Sequence, residues 1–292
     1  MAIHEQVIII GGGPAGSACA VQLKRYGIDP LILEKEKPGG LIRNAWRVDN
    51  YPGYPKGISG RKLAGKVRKH LKRFNIKFAK CEVRSAMYLD ERFEIITDEA
   101  GYSCDHLVVA SGTRPRKVFD YPANAAHLVY HEVYPLIGSK DKTVAIIGAG
   151  DAAFDYAMSL AGKNRVEIYN RGKEIKCIPA LLKIATANAF INYTDNMELE
   201  RLEANNNILR LYFKNSVSKE PILFDYIIFA AGRVPELSFL TTELINNLGQ
   251  LEQDGRLYVI GDVKNGMVRQ TSVAIGDGVK AAMAIKDQII NR

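Results

Sequence analysis

Short apolar runs that stop at glycine set the pattern of this chain. Val7-Ile8-Ile9-Ile10 ends abruptly at Gly11-Gly12-Gly13-Pro14-Ala15-Gly16, which predicts a buried strand, a tight loop and the first turn of a helix. Gly11 allows the sharp turn, Gly13 lets backbone approach a pyrophosphate with no Cβ in the way, and Gly16 lets the helix pack closely on the strand. Pro14 suits the first helical position, where its missing N–H has no intrahelical partner. Ala15, Cys19, Leu23 and Tyr26 recur at helical spacing, Gly27 punctuates, and Pro30-Leu31-Ile32-Leu33 predicts a second strand ending at Glu34. A carboxylate about 20 residues past such a loop suits the hydroxyl pair of a ribose. The competing reading is a glycine turn in an ordinary βαβ unit.

The pattern then repeats. Thr143-Val144-Ala145-Ile146-Ile147 runs into Gly148-Ala149-Gly150-Asp151-Ala152-Ala153, a helix to about Ala161 follows, and Arg165-Val166-Glu167-Ile168-Tyr169 is the next strand. This is a second strand–turn–helix–strand unit with a G-x-G-x-x-A loop, so the chain is expected to carry two dinucleotide folds. At the end of its second strand an acid would suit the ribose of NADH, and arginine the 2′-phosphate of NADPH. Asn170 and Arg171 occupy that end, Lys173 and Lys176 follow, and Glu167 lies too early. NADPH is the expected nucleotide, with NADH and an unused, degenerate fold left open.

Between and after the repeats, Pro38-Gly39-Gly40-Leu41 and Asp49-Asn50-Tyr51-Pro52-Gly53-Tyr54-Pro55 are loops, and Glu82 to Asp98 alternates as short strands do. His106-Leu107-Val108-Val109-Ala110 reads as a buried strand ending at Ser111-Gly112-Thr113-Arg114-Pro115-Arg116, a crossing between domains. Arg201 to Phe229 reads as a set of strands, and Tyr226 to Pro235 mirrors the first crossing. Leu257 to Asp262 and a helix opening at Arg269-Gln270-Thr271 complete the chain. A helix N-terminus concentrates unpaired N–H donors and partial positive charge, which favours an anionic ligand. The expected fold is α/β, two Rossmann-like domains with the second inserted into the first: 1–113, 114–233 and 234–292.

The 292 residues suffice for two cores, and 47% hydrophobic with 25% charged residues is ordinary globular composition. No apolar run approaches a membrane span and the N-terminal run is spent on the glycine loop rather than a signal peptide, so a cytoplasmic protein is expected. Cys19, Cys81, Cys104 and Cys177 form no C-x-x-C, which argues against zinc ribbons and a thioredoxin-type pair. Histidines 4, 70, 106, 127 and 131 show no metal-ligand spacing. The net charge of +8 is uneven: Arg61 to Lys80 holds nine Lys or Arg and no acid. Leu63, Val67, Leu71 and Phe74 make it an amphipathic helix with a basic outer face, either solvated or a docking face for an acidic partner. Nucleic acid finds no recognition motif beside it.

Taken together, G-G-G-P-A-G at 11–16, G-G-L at 39–41, D-N-Y-P-G at 49–53, S-G-T-R-P-R at 111–116, G-A-G-D-A-A at 148–153, A-G-R-V-P at 231–235, G-D at 261–262 and R-Q-T at 269–271 resemble the thioredoxin-reductase-like group of two-domain flavoprotein disulfide reductases. The resemblance covers nearly the whole length. It implies FAD on Gly11, Gly13, Pro14, Ala15, Gly16, Glu34, Gly40, Leu41, Asn50, Gly112, Gly261, Asp262, Arg269, Gln270 and Thr271. It implies NADPH on Gly148, Gly150, Asp151, Ala153 and Arg171, and a homodimer. The family's C-x-x-C, about a dozen residues before the second glycine loop, is replaced here by His131-Glu132-Val133-Tyr134. His and Tyr can move protons but cannot relay two electrons by thiol exchange, which leaves His131 and Tyr134 as candidates near the ring, or as packing residues.

The chain is similar in this to the branch of ferredoxin- or flavodoxin-NADP reductases, which hand electrons from flavin directly to a partner. Those chains carry a C-terminal extension over the flavin, whereas this one stops soon after its last helix, which implies a more open flavin. The expectation is an FAD-dependent NAD(P)H oxidoreductase with an acidic electron carrier as acceptor. A small organic substrate or oxygen as acceptor, or a binding subunit that has lost hydride transfer, are the alternatives.

Overall fold

The computed structural model describes residues 2–216 and 218–290. In chain order the elements are β1 (Ile3–Ile10), α1 (Pro14–Arg25), β2 (Pro30–Glu34), α2 (Gly60–Arg73), β3 (Lys77–Lys80), β4 (Val83–Leu89), β5 (Arg92–Thr97), β6 (Gly101–Val109) and β7 (Thr113–Pro115). There follow β8 (Val129–Tyr130), β9 (Thr143–Ile147), α3 (Asp151–Leu160), β10 (Arg165–Tyr169), α4 (Pro179–Thr186), β11 (Ile191–Thr194), β12 (Leu199–Asn205), β13 (Ile208–Phe213), β14 (Ile222–Phe224), β15 (Tyr226–Phe229) and β16 (Arg233–Pro235). The last are α5 (Thr242–Asn246), α6 (Leu248–Gln253), β17 (Leu257–Val259) and α7 (Thr271–Ile290). The chain divides into two compact units, Met1–Arg43 with Asp49–Arg114 and Val234–Arg292, and Asn44–Val48 with Pro115–Arg233.

In the first unit the sheet order is β3-β2-β1-β6-β5-β4, with β17 also on β6. β1 runs parallel to β2 on one side and to β6 on the other, with Ile8 opposite both Leu31 and Leu107. The strand order therefore reverses at β1, and a crevice opens beyond its C-terminal end, where the first glycine loop lies. The apolar run of β1 is continuous because both faces are covered. Val7 and Ile9 face α1 and α7, while Ile8 and Ile10 join Phe93, Leu107 and Leu257 on the other side. α1 and α7 meet through small residues: a Cβ on Gly278 would lie 2.2 Å from the Ala15 carbonyl oxygen.

One element is shorter than its sequence suggests. The basic helix ends at Arg73, Asn75 turns left-handed at φ 51, and Lys77–Lys80 instead pair with β2 as an edge strand. The apolar stripe runs out at Phe74, so nothing holds a further turn against the core.

The second unit repeats the design. Its sheet, β11-β10-β9-β15-β8, is parallel throughout, and β9 lies between β10 and β15 as β1 lies between β2 and β6. Val144, Ile146, Val166 and Ile168 pack beside Phe154 and Leu160 of α3, while Ala145, Tyr169 and Phe229 pack with the antiparallel β12-β13-β14 meander. The stretch expected as one set of strands from 201 to 229 is thus split, with β15 joining the parallel sheet and β12 to β14 forming a layer of their own.

Candidate functional site

Both glycine loops are built the same way. Gly11 donates to the Leu33 carbonyl at 2.9 Å and Gly148 to the Tyr169 carbonyl at 3.0 Å, so each loop is tied to the strand that follows its helix. Gly11 has φ +104 and Gly148 φ +142, and a Cβ would fall 2.4 Å from the Ala110 oxygen at the first and 2.5 Å from the Ala230 oxygen at the second. Both positions demand glycine on steric grounds. Gly16 is equally confined, its Cβ site 2.0 Å from the Gly11 oxygen. Ala153 stands at the matching place in the second loop and is fully buried.

Gly13 behaves differently. It caps α1 with φ −69 and ψ −173, a conformation open to any residue, and no protein atom lies within 4 Å of where its Cβ would be. Open space stands over this backbone at the start of a 12-residue helix headed by Pro14, with no acid in its first turn. That is the form of an anion cradle. Glu34 closes one side, its carboxylate accepting from the N–H of Gly12 at 2.7 Å and of Glu36 at 2.9 Å. A cavity of about 140 Å³ adjoins it, lined among others by Gly11, Glu34, Cys81, Val83, Ser111 and Glu236.

The remaining residues expected around this cradle belong to the same unit. Gly39 donates to the Gly12 carbonyl at 2.8 Å, and Gly40, at φ +58, brings its Cβ site within 3.0 Å of Gly13 Cα, with Leu41 following in a short helical turn. Gly112 accepts from Glu236 N–H at 3.0 Å. Asn50 donates to Gln270 at 2.7 Å, beside half-buried Arg269 and just before Thr271 opens α7. Gly261 is pressed against Ala15, its Cβ site 2.8 Å from the alanine methyl, with Asp262 next to it. Asp277 holds this loop, accepting from Gly261 N–H at 3.1 Å and from Asn265 at 2.6 Å. Sequence reading missed Asp277; its signal is an acid among the small and apolar residues of the first two turns of α7.

In the second loop Gly150 caps α3, and Asp151 accepts from Ile178 N–H at 2.8 Å, fastening the 171–178 segment beside the glycines together with the Lys176 N–H to Ala149 carbonyl bond at 2.8 Å. Asn170 is buried and spent on structure, donating to the Glu174 carbonyl at 2.9 Å and to Tyr193 at 3.0 Å. It shapes the turn instead of facing a ligand. Arg171 and Lys173 are exposed at the end of β10.

His131 and Tyr134 fall in a polar cluster of the second unit that sequence reading did not foresee. Asn44 donates to Glu132 and accepts from Tyr134 N–H at 3.0 Å, and Arg233 pairs with Glu132 at 3.0 Å. His131 lies 5.9 Å from the Phe229 ring with Nδ1 buried and unpartnered, and burial, then Arg233, lowers its pKa. Tyr134 is 41% exposed. Asp155 accepts from Trp46 N–H at 2.9 Å, so segment 44–48 is held at Asn44 and again at Trp46.

Burial pushes the Asp155 carboxyl up from 3.8 to about 6, against the pull of the Trp46 and Arg47 N–H groups. A folded pKa above the unfolded one means stability that is fully present below pH 3.8 and lost as pH rises through 6. Wild-type protein is expected to lose on the order of 3 kcal/mol across this window from this group. Asp155→Asn should flatten that slope in urea unfolding followed by the fluorescence of Trp46, the single tryptophan. An unchanged slope would assign it elsewhere.

The fold and its two glycine loops define a two-Rossmann pyridine-nucleotide oxidoreductase. The family model described as pyridine nucleotide-disulphide oxidoreductase matches residues 5–278, and the chain belongs to that family. It is 26% identical to a thioredoxin reductase of Chlamydia pneumoniae over a 312-residue alignment covering 96% of this chain and 97% of the relative. It is also 26% identical to a glucosaminate ammonia-lyase of Pseudomonas fluorescens, covering 96% of this chain and 94% of that one. Among solved structures, thioredoxin reductase of Lactococcus lactis in its FR conformation superposes with a TM-score of 0.84 at 23% identity, covering 99% of this chain and all of that one. The chain is an enzyme of the thioredoxin-reductase-like class, whose members are FAD-dependent NAD(P)H oxidoreductases. It departs from the class in its thiols: the four cysteines are all free, Cys19, Cys81 and Cys104 buried and Cys177 half-buried. No helix among the described residues is long and apolar enough to cross a membrane.

Proposed function

We propose that the protein oxidises NAD(P)H through FAD and passes the electrons to an external acceptor, an acidic carrier of the ferredoxin or flavodoxin kind, without an internal dithiol. The observation that carries this reading is two glycine loops of one build in a chain whose four cysteines never pair. The first unit fits FAD. Gly11 to Gly16 with Gly40 and Leu41 would hold its pyrophosphate, Glu34 its adenosine ribose, and Asp262 with Asn50, Gly112, Arg269, Gln270 and Thr271 the remainder. Gly148, Gly150, Asp151, Ala153 and Arg171 of the second unit would hold NADPH. Bound FAD supplies acceptance of a hydride and release of electrons singly. The chain's own part is to position both cofactors and to neutralise their phosphates.

His131, half-buried, and Tyr134 replace the thiols that the resemblance leads one to expect; here they serve at most proton movement. Homodimer formation belongs to the same reading and is checked by light scattering. The function is tested by anaerobic titration of purified protein with NADPH and then NADH, followed in the visible. Bleaching by about one equivalent of NADPH, with NADH needing far more, is the expected result. A yellow protein that neither nucleotide reduces contradicts the reading, and stoichiometric peroxide from NADPH in air would move the acceptor to oxygen.

A further inference from the structure

The surface of the first unit carries one charge feature that its cofactor cradle does not use. Among the described residues, none of Arg61, Lys62, Lys66, Arg68, Lys69, Lys72, Arg73, Lys77 and Lys80 has a carboxylate partner. Several other cations of the same unit are paired: Lys24 with Asp29, Lys35 with Glu82, Arg43 with Glu36, Arg92 with Asp105 and Arg114 with Glu236. Arg68 donates to the Pro38 carbonyl at 3.1 Å, and Lys66 and Arg73 lie over the rings of Tyr54 and Phe74, contacts that leave their charge unneutralised. Like charges along one helix face repel one another, and among the described residues no ion pair offsets them.

The apolar side of α2 is already used, with Leu63, Ala64 and Leu71 buried, so the helix has no face left to enter a lipid surface. The basic face continues onto the open edge of β3, where Phe78 is 52% exposed between Lys77 and Lys80. An exposed apolar side chain with cations on the same strand suits a protein surface of acidic rim and apolar centre. The helix touches the cradle from its buried side, and Arg68 of the basic set reaches the neighbouring Pro38 carbonyl. Ala64 lies against Gly39, whose Cβ site is 2.9 Å from its methyl, Gly39 donates to Gly12 at 2.8 Å, and Gly40 abuts Gly13.

We propose that the outer face of α2, continued along β3, docks an acidic one-electron carrier protein. This rests on the oxidoreductase reading above and adds the site. Each NAD(P)H gives up two electrons and one proton; the electrons leave singly to two oxidised carriers, and the proton goes to solvent. The charge accelerates encounter, and the docked partner sits beside the loops that line the cofactor cradle.

The test uses holoprotein and an acidic [2Fe–2S] ferredoxin, with binding measured by calorimetry at low and high salt and turnover with NADPH measured beside it. The triple variant Lys62→Glu, Lys69→Glu, Lys72→Glu is expected to bind ferredoxin about tenfold more weakly and to lose about tenfold in kcat/KM for it, because rim charges act mainly on association. Reduction of a small neutral quinone by NADPH should be unchanged. Should the triple variant misfold, the double variant Lys62→Gln, Lys69→Gln should show the same direction at about threefold. Equal ferredoxin binding by variant and wild type, binding indifferent to salt, or tighter binding of a double-stranded DNA oligonucleotide than of ferredoxin would each overturn the proposal. Failure of the wild type to reduce the quinone would instead count against the oxidoreductase reading, while calorimetry still decides the docking site.

Discussion

Gly13→Val is expected to give a folded protein that does not retain FAD. The substitution meets no protein atom within 4 Å, and at φ −69 and ψ −173 the backbone already suits a β-branched residue. Stability of the apoprotein should therefore change by no more than about 0.5 kcal/mol. The isopropyl group would stand in the space over the N-terminus of α1, where backbone N–H groups are free to meet a pyrophosphate. A loss of about 100-fold in FAD affinity follows, about 3 kcal/mol. Gly11→Val is the contrasting variant, because φ +104 and a Cβ 2.4 Å from the Ala110 oxygen leave no room for any side chain. It should cost about 3 kcal/mol or more in folding. Thermal melts of the apoproteins with flavin absorbance of the purified forms separate the two effects. A Gly13→Val protein that purifies yellow with a full flavin complement would remove the cradle from the first loop.

Arg171→Glu is expected to raise KM for NADPH by about 100-fold and to change KM for NADH by less than about threefold. Arg171 is exposed directly after buried Asn170, at the end of the strand where a nucleotide's adenosine ribose is met in such folds. A hydrogen bond to a charged group contributes about 1.5–3 kcal/mol, and the new carboxylate adds repulsion toward a 2′-phosphate. NADH has no phosphate there and should scarcely notice. Initial-rate kinetics with both nucleotides measure the split. An equal effect on both would show that Arg171 acts on the fold or on the shared pyrophosphate.

The fold was legible in the sequence where local geometry and burial agreed. Val7–Ile10 and Thr143–Ile147 are apolar on both faces because each strand is covered on both sides, and each ends at a glycine whose φ no other residue tolerates. The short elements were not legible. α4 to β11, and α5 with α6, are brief, weakly periodic and held by tertiary packing. The basic helix was read through to Lys80, because charge is continuous along it, whereas Asn75 in the left-handed region closes the helix at Arg73.

The site divides along the same line. The spacing of Gly11, Gly13 and Gly16, the carboxylate at Glu34 and the missing C-x-x-C are local facts, and they define the class of chemistry without coordinates. Tertiary structure put distances on the roles expected of these glycines, with Gly11 and Gly16 packed against carbonyl oxygens and no such neighbour at Gly13. It showed Asn170 spent on shaping a turn, and it brought Asn44 and Trp46 to Glu132, Arg233 and Asp155 from four separated stretches. It also showed that, among the described residues, none of the nine cations of 61–80 forms an ion pair. Glycine geometry and apolar period are written in neighbouring residues. The partners of a buried carboxylate, or the lack of a partner for a surface cation, depend on residues far apart in the chain, which only folding brings together.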